Sequence, residues 1–363
     1  MTTPDSPPTK RVPALRIIHL SGGLRAVDLN DEKVWIEVGP DHRLGHFKTP
    51  PYANLYGALQ NFGFEVLGVD FIQNHAFAEV EPPDWRAYRS GFGFYDLHAE
   101  RSWSNVKHAA NGSSDYVLTL LAGKIRTYLK LLPIRLRQLS EAYNQSLHSA
   151  VSRPSPTEIG NHFDNGWTTY IDAAVHAFLS DASAFRDVLA ETIWRVLLKR
   201  ETPDITSIAG LRKHAKTVDH PLVVAVLKST TEGWLRELSD LRNHVVHVAP
   251  VSQSQEHHFA ELKGLKGPGG KLLPTIHLPL LAADGSVRSP PKKLIAYRDE
   301  EGIKASLKSY VEYSKSGRDA LIVCNEYCYK LVGLSMDIKS AAKLQEKEFV
   351  LTAADMIGPP TFY

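Results

Sequence analysis

The sequence YVLTLLAGKIRTYLKLL, residues 116–132, is the first long stretch in which apolar residues recur at helical spacing. The recurring positions are Val117, Leu120, Leu121, Ile125, Tyr128, Leu129 and Leu132. Apolar residues at i, i+3 and i+4 predict an amphipathic helix that buries one face. Pro133 then kinks or ends this helix, and residues 134–151 continue the pattern.

Helical spacing also marks most of the chain that follows. Asp164 or Asn165 is placed to cap a long helix that ends near residue 199. Further helices are predicted at residues 205–216, 222–248 and 302–334. Three or four long helices around one core form a bundle, which we expect within residues 111–335.

Two other segments complete this part of the chain. Residues 251–300 are rich in glycine and proline and therefore predict an irregular insertion or an extended hairpin instead of a core helix. Residues 336–363 are expected to form a C-terminal tail.

The N-terminal third has a different pattern. Residues 1–13 are polar and proline-rich, which predicts a disordered lead-in. Within residues 14–110, short β-branched or aromatic runs at 15–20, 34–38, 64–72 and 76–80 alternate with glycine and proline pairs, which predicts strands. One short helix is expected at residues 52–62. The predicted fold class is therefore α+β, a mainly α-helical bundle with a small strand-containing N-terminal domain.

Composition limits the possible functions. The chain has 363 residues, with 42 Lys and Arg against 40 Asp and Glu, so it has no excess charge for broad nucleic-acid binding, although a local basic site is compatible with this balance. No stretch approaches the roughly 18–20 apolar residues that span a bilayer, and we expect a cytoplasmic protein. Cys324 and Cys328 lie four residues apart in a helical segment, where buried free thiols are the expected state.

The densest group of chemically capable side chains is Leu-Arg-Asn-His-Val-Val-His, residues 241–247. Asn243 and His247 are separated by one helical turn, whereas Arg242 and His247 point about 140° apart. Arginine presents a planar fork that suits phosphate, and a histidine near its ordinary pKa can exchange protons at neutral pH.

This Arg-x-x-x-x-His spacing, with a polar residue after the arginine, resembles the signature of the HEPN superfamily. The resemblance covers about residues 165–335 and implies a helical bundle with the motif late in its penultimate long helix. It also implies a metal-independent endoribonuclease of a toxin–antitoxin or defence system, in which His247 is the acid/base group, Arg242 stabilises phosphorane charge and Asn243 orients the imidazole or the phosphate. The implied partners are RNA, a second copy of the chain and an antitoxin; no cofactor or metal is implied.

Other interpretations of the motif stay open. Arg242 and Asn243 near Pro250 also suit the end of a helix, where they satisfy free carbonyl groups. The chain would then be a non-catalytic helical module that binds RNA or protein. His244 and His247 offer two nitrogens to a metal ion, but no carboxylate or cysteine follows nearby to complete a site.

Overall fold

The computed structural model describes residues 14–29, 32–51, 54–72, 82–245, 259–287 and 300–348. Within these ranges the fold is α+β and mainly helical, which confirms the predicted fold class. None of the helices in these ranges is both long enough and apolar enough to cross a membrane.

A six-stranded antiparallel sheet dominates the N-terminal region. Its strands are β1 (Ala14–Leu20), β2 (Arg25–Leu29), β3 (Lys33–Gly39), β4 (His42–Lys48), β5 (Val66–Phe71) and β6 (Asp84–Ala87). The spatial order is β4-β3-β2-β1-β5-β6. Three of the predicted strand runs, at 15–20, 34–38 and 64–72, are confirmed, whereas the run at 76–80 lies outside the described residues.

Two smaller sheets involve short strands. These are β7 (His162–Phe163), β8 (Ala260–Lys266), β9 (Leu272–His277), β10 (Pro279–Leu281) and β11 (Arg318–Asp319). Strands β8 and β9 form a hairpin, with β7 beside β8, and β10 pairs with β11. Residues 260–277 thus take the extended-hairpin form that the sequence allows for the glycine- and proline-rich segment.

Nine α-helices fall within the described residues. They are α1 (Leu55–Asn61), α2 (Tyr95–Gly112), α3 (Tyr116–Val151), α4 (Gly166–Thr192), α5 (Ile208–His214), α6 (Pro221–Glu232), α7 (Trp234–Asn243), α8 (Glu300–Ser316) and α9 (Ala320–Ala341). The short helix predicted at 52–62 is confirmed as α1. The cap predicted for α4 is confirmed too, because the Asn165 side chain accepts a hydrogen bond from the Trp167 N–H at 3.0 Å.

Helix α3 does not end at Pro133. A proline inside a helix removes one hydrogen bond and costs about 3 kcal/mol. Leu132 and Leu136, on either side of it, are fully buried, and this burial of apolar area offsets the cost. The result is one helix of 36 residues.

Two helices predicted as continuous are divided at glycines. The helix predicted at 222–248 is two helices, α6 and α7, because Gly233 is extended, with φ −143° and ψ −167°. The helix predicted at 302–334 is likewise α8 and α9. Gly317 lies between them, where a β-carbon would approach Pro279 Cβ to 2.6 Å, so close contact with β10 requires glycine and interrupts the helix.

The chain divides into two compact units. The sheet unit comprises Met1–Phe94, Pro133–Leu179 and Asp240–Glu326. The helical unit comprises Tyr95–Leu132, Ser180–Ser239 and Tyr327–Tyr363. Helix α2, which the sequence did not predict, covers residue 110, where we placed the end of the N-terminal domain. Whether residues 14–110 fold by themselves stays a prediction.

Each unit has its own core. In the sheet unit, Ile18, Leu20, Ile36 and Val69 of the sheet are fully buried. In the helical unit, the fully buried side chains include Trp103, Ile125, Phe185 and Leu189. Cys324 and Cys328 are buried and are not joined in a disulfide, as predicted.

Candidate functional site

The described part of the predicted motif lies at the end of α7. Arg242 is partly buried and Asn243 is exposed, and Arg242 Nη1 donates a hydrogen bond to Asn243 Oδ1 at 3.2 Å. The apolar side of this segment is buried as predicted at Leu238, Leu241 and Val245. His247 and Val248 lie outside the described residues. The structure therefore brings two of the three predicted site residues together.

The most concentrated polar group in the sheet unit is one that the sequence did not single out. It joins one face of the sheet to the second half of α3, and we call it the polar seam. Its sheet residues are His19 of β1, Arg25 of β2 and Asp70 of β5, and its helix residues are Arg137, Ser140 and Glu141. His19 is paired with Arg25 across the sheet, so their side chains share a face.

His19 lies at the centre of the polar seam. Its Nδ1 is 3.0 Å from Ser140 Oγ, and its Nε2 is 3.2 Å from Asp70 Oδ2. Burial lowers the pKa of His19, although the hydrogen bond with Asp70 acts in the opposite direction. The imidazole is therefore neutral at pH 7.

Two arginines neutralise the carboxylates of the polar seam. Arg137 contacts both oxygens of Asp70, with Nε–Oδ1 and Nη2–Oδ2 distances of 2.8 Å. Arg25 donates a hydrogen bond to Glu141. Burial alone would raise the pKa of Asp70, but hydrogen bonds from His19 and Arg137 outweigh it and lower this pKa to about 2. With His19 neutral, the two arginines balance the two carboxylates.

A metal ion does not fit this balance of charge. His19, Asp70 and Glu141 each offer a ligand atom, and these atoms lie within 4.8 Å of one another. However, Arg137 Nη2 is 2.8 Å from Asp70 Oδ2 and 3.5 Å from Glu141 Oε1. A protein cation already lies between the carboxylates, and a divalent ion would have to displace it.

Ser140, His19 and Asp70 also line up in the manner of a nucleophile, a base and an acid. Their exposed fractions are 2%, 0% and 2%, and Ser140 lies in the middle of α3, where no substrate carbonyl can approach its hydroxyl. The group instead attaches α3 to the sheet by buried, charge-assisted hydrogen bonds.

The same face of α3 carries further polar contacts with the sheet. Asn144 Nδ2 donates hydrogen bonds to the carbonyl oxygens of Gly23 and Val38, both at 2.8 Å. One turn later, the His148 ring lies against Gly39. A helical stripe is formed by residues that each lie three or four positions from another member: Arg137, Ser140, Glu141, Asn144 and His148. The polar stripe is present in the sequence, but the spacing of apolar residues alone does not reveal it.

Asp319 is a second carboxylate with little solvent exposure, and its hydrogen bonds are structural. Its Oδ1 accepts hydrogen bonds from the Leu321 and Ile322 N–H groups at 3.0 and 3.2 Å, which caps α9. Its Oδ2 accepts from the Tyr143 hydroxyl at 3.0 Å and from the Leu278 N–H at 2.9 Å. Four donors leave this carboxylate no free lone pair for acid–base chemistry.

The chain matches no protein-family model, no curated protein and no solved structure. The resemblance to the HEPN superfamily therefore depends on the motif at residues 242–247 and on its helical surroundings. The two polar groups differ in solvent exposure. Asn243, at the end of α7, faces solvent, whereas His19, in the polar seam, is fully buried.

Proposed function

We propose that the chain is a HEPN-like, metal-independent endoribonuclease with its site at residues 242–247. The observation that supports this proposal is the contact between Arg242 and Asn243 at an accessible helix end. A guanidinium held beside an amide at the surface presents several N–H donors to one phosphodiester group.

The proposed reaction uses the nucleophile that RNA already contains. His247 takes the proton of the 2′-OH as this oxygen attacks the adjacent phosphorus, and Arg242 stabilises the negative charge of the phosphorane. The new 2′-O–P bond forms while the P–O5′ bond breaks, and a protonated imidazole gives its proton to the leaving 5′-oxygen. The products are a 2′,3′-cyclic phosphate and a 5′-hydroxyl end.

The test is cleavage of RNA in EDTA by the purified full chain, with analysis of the product ends. We expect 2′,3′-cyclic phosphate ends from the wild type and at least about 100-fold slower cleavage from His247→Ala and Arg242→Ala. His214→Ala on α5 and Arg236→Ala on α7 are matched controls, because both side chains are exposed. Cleavage by His247→Ala at the wild-type rate would overturn the proposal.

On an ideal helix the Arg242 and His247 side chains point about 140° apart. This suggests a site shared by two copies of the chain. Mixing inactive Arg242→Ala and His247→Ala proteins tests this, because a mixed dimer then keeps one complete site. If subunits exchange at random, we expect about one quarter of wild-type activity. No recovery in a mixture that does form mixed dimers would place each site within a single chain.

A non-catalytic interaction module is the second candidate. It is favoured by the apolar start of α3, where the exposed fractions are 75% for Tyr116, 46% for Val117 and 61% for Leu120. Contiguous exposed apolar side chains are typical of protein contacts. Expression in bacteria separates the candidates: growth arrest by the wild type alone supports a ribonuclease toxin, whereas equal arrest by His247→Ala, without RNA cleavage, supports the module.

A further inference from the structure

The outer part of the six-stranded sheet carries a compact group of basic side chains. Strands β3 and β4 have the sequences KVWIEVG and HRLGHFK. Their cross-strand pairs are Lys33 with Lys48, Trp35 with His46, and Glu37 with Arg43. Because paired residues point to the same side of a sheet, these side chains share one face, which we call the basic face.

The cations of the basic face surround one indole ring. The Arg43 guanidinium carbon is 4.5 Å from the Trp35 ring centroid, and Lys33 Nζ is 5.8 Å from it. The His46 ring lies 4.6 Å from the same centroid. Lys33, Arg43, His46 and Lys48 are exposed, so planar and cationic groups are presented together to solvent.

Acidic side chains are few in these two strands. Glu37 is their one acidic residue by sequence. It is buried, and its Oε2 lies 3.7 Å from Arg43 Nε. A further cation reaches the outer edge of β4, where Lys271 Nζ donates to the Leu44 carbonyl oxygen at 2.8 Å.

Lys33 and Lys48 concentrate positive charge at one end of the basic face. They lie directly opposite each other on β3 and β4, and both side chains are exposed. Lysines on an edge strand protect it from pairing with other chains, which accounts for Lys48 on β4. It does not account for Lys33, because β3 is an inner strand that pairs with β2 and β4. A polyanion that approaches this end of the face meets two cations at once.

We propose that the basic face binds the phosphate backbone of single-stranded RNA, with Lys33 and Lys48 contacting phosphates and the Trp35, Arg43 and His46 group stacking against bases. Aromatic rings and guanidinium planes interleaved with lysines suit an unpaired strand. A lipid surface fits less well, because among the described residues none of the large exposed hydrophobic side chains lies in β3 or β4. This surface extends the proposed function by adding an RNA contact, but binding there does not require cleavage.

The test uses the full chain and a fluorescent oligouridine whose 2′-oxygens are methylated, so that transesterification cannot occur. Fluorescence anisotropy compares wild type with Lys33→Ala/Lys48→Ala and with Lys304→Ala/Lys308→Ala on α8, a control pair of exposed lysines. For the first pair we expect at least about fivefold weaker binding. We also expect the slope of log affinity against log salt to flatten by about 1.4, since each phosphate contact on a single strand contributes roughly 0.7.

Other measurements make the result decisive. The methylated oligonucleotide cannot be cleaved, so this binding measurement is independent of ribonuclease activity. A chain that cleaves no RNA but binds the oligonucleotide through Lys33 and Lys48 would leave this proposal standing. Thermal unfolding of Lys33→Ala/Lys48→Ala should show a Tm close to that of wild type, because both side chains are exposed and surface substitutions change stability little. Equal binding by both lysine pairs would overturn the proposal. The proposal would also be overturned if Lys33→Ala/Lys48→Ala weakened binding to phosphatidylserine vesicles but left binding of the oligonucleotide unchanged.

Discussion

The guanidinium of Arg137 on α3 and the carboxylate of Asp70 on β5 form a two-point ion pair, with both nitrogen–oxygen distances at 2.8 Å. The Asp70 side chain is only 3% exposed, so water does little to weaken the attraction. The same carboxylate also contacts His19. A helix and two strands that are distant in sequence are thus connected through one buried charge.

Asp70→Asn should reduce stability strongly at neutral pH and weakly in acid. The folded-state pKa of Asp70 is about 2, below the value of roughly 3.9 in an unfolded chain. Its ionised form therefore contributes stability above pH 4 that is lost as the pH falls through 2. The shift corresponds to about 2–3 kcal/mol at pH 7.

Urea unfolding of wild type and Asp70→Asn at several pH values between 7 and 2 measures this. The difference in free energy of unfolding should narrow below pH 4. Asp41→Asn, in the exposed turn between β3 and β4, is the control and should show no such trend. A difference for Asp70→Asn that stays constant down to pH 2 would refute the assigned pKa.

His19→Gln tests the neutral imidazole in a different pH range. Burial lowers the pKa of His19, so below about pH 6.5 the unfolded chain binds a proton that the folded chain rejects. Wild type should therefore lose stability as the pH falls from 7.5 to 5.5, and the variant should lose less. His98→Gln, at an exposed position on α2, should keep the wild-type slope. Parallel curves for wild type and His19→Gln would contradict this prediction.

The helices and strands were largely predictable because their signals are local. Apolar spacing in α3 and α4 and β-branched runs in β1, β3 and β5 each lie within a few residues of one another. The interruptions at Gly233 and Gly317 were missed because apolar residues at helical spacing resume on the far side of both glycines. At Gly317 the deciding contact is with Pro279, which is distant in the sequence.

The polar seam was not predictable in the same way. His19 contacts Ser140 and Asp70 across separations of 121 and 51 residues, and no local pattern specifies the register between a strand and a distant helix. The contact between Arg242 and Asn243 was not predicted, because the side chains of adjacent residues diverge by about 100° on a helix.

Asn144→Ala should destabilise the chain because two buried carbonyl groups lose their donor. The Asn144 amide is 2% exposed and donates to both Gly23 O and Val38 O. We expect a loss of about 2–3 kcal/mol, measured by urea unfolding. Asn144→Asp should be worse at pH 7, since a carboxylate would face two carbonyl oxygens. Gln138→Ala, exposed on the same helix, serves as the control; an equal loss there would indicate a general effect on α3.

Gly68→Ala should disturb the packing around His19. A β-carbon at Gly68 would lie 2.4 Å from Trp85 Cζ2 and Cη2, and the Trp85 ring contacts the His19 ring at a centroid distance of 4.9 Å. The indole must move, which costs about 1–3 kcal/mol and changes the near-ultraviolet circular dichroism. Gly45→Ala in β4 meets no atom within 4 Å and should stay within about 0.5 kcal/mol of wild type.

The cause of the Gly68 effect can be separated with a second substitution. Besides the indole, the added methyl group would lie 2.7 Å from the Arg86 carbonyl oxygen. If the indole is the obstacle, Gly68→Ala should cost less stability in a Trp85→Leu background than in wild type, because the smaller side chain leaves room for the methyl group. An undiminished cost in that background would instead assign the strain to the Arg86 carbonyl, and Trp85 would then have no part in requiring glycine opposite His19.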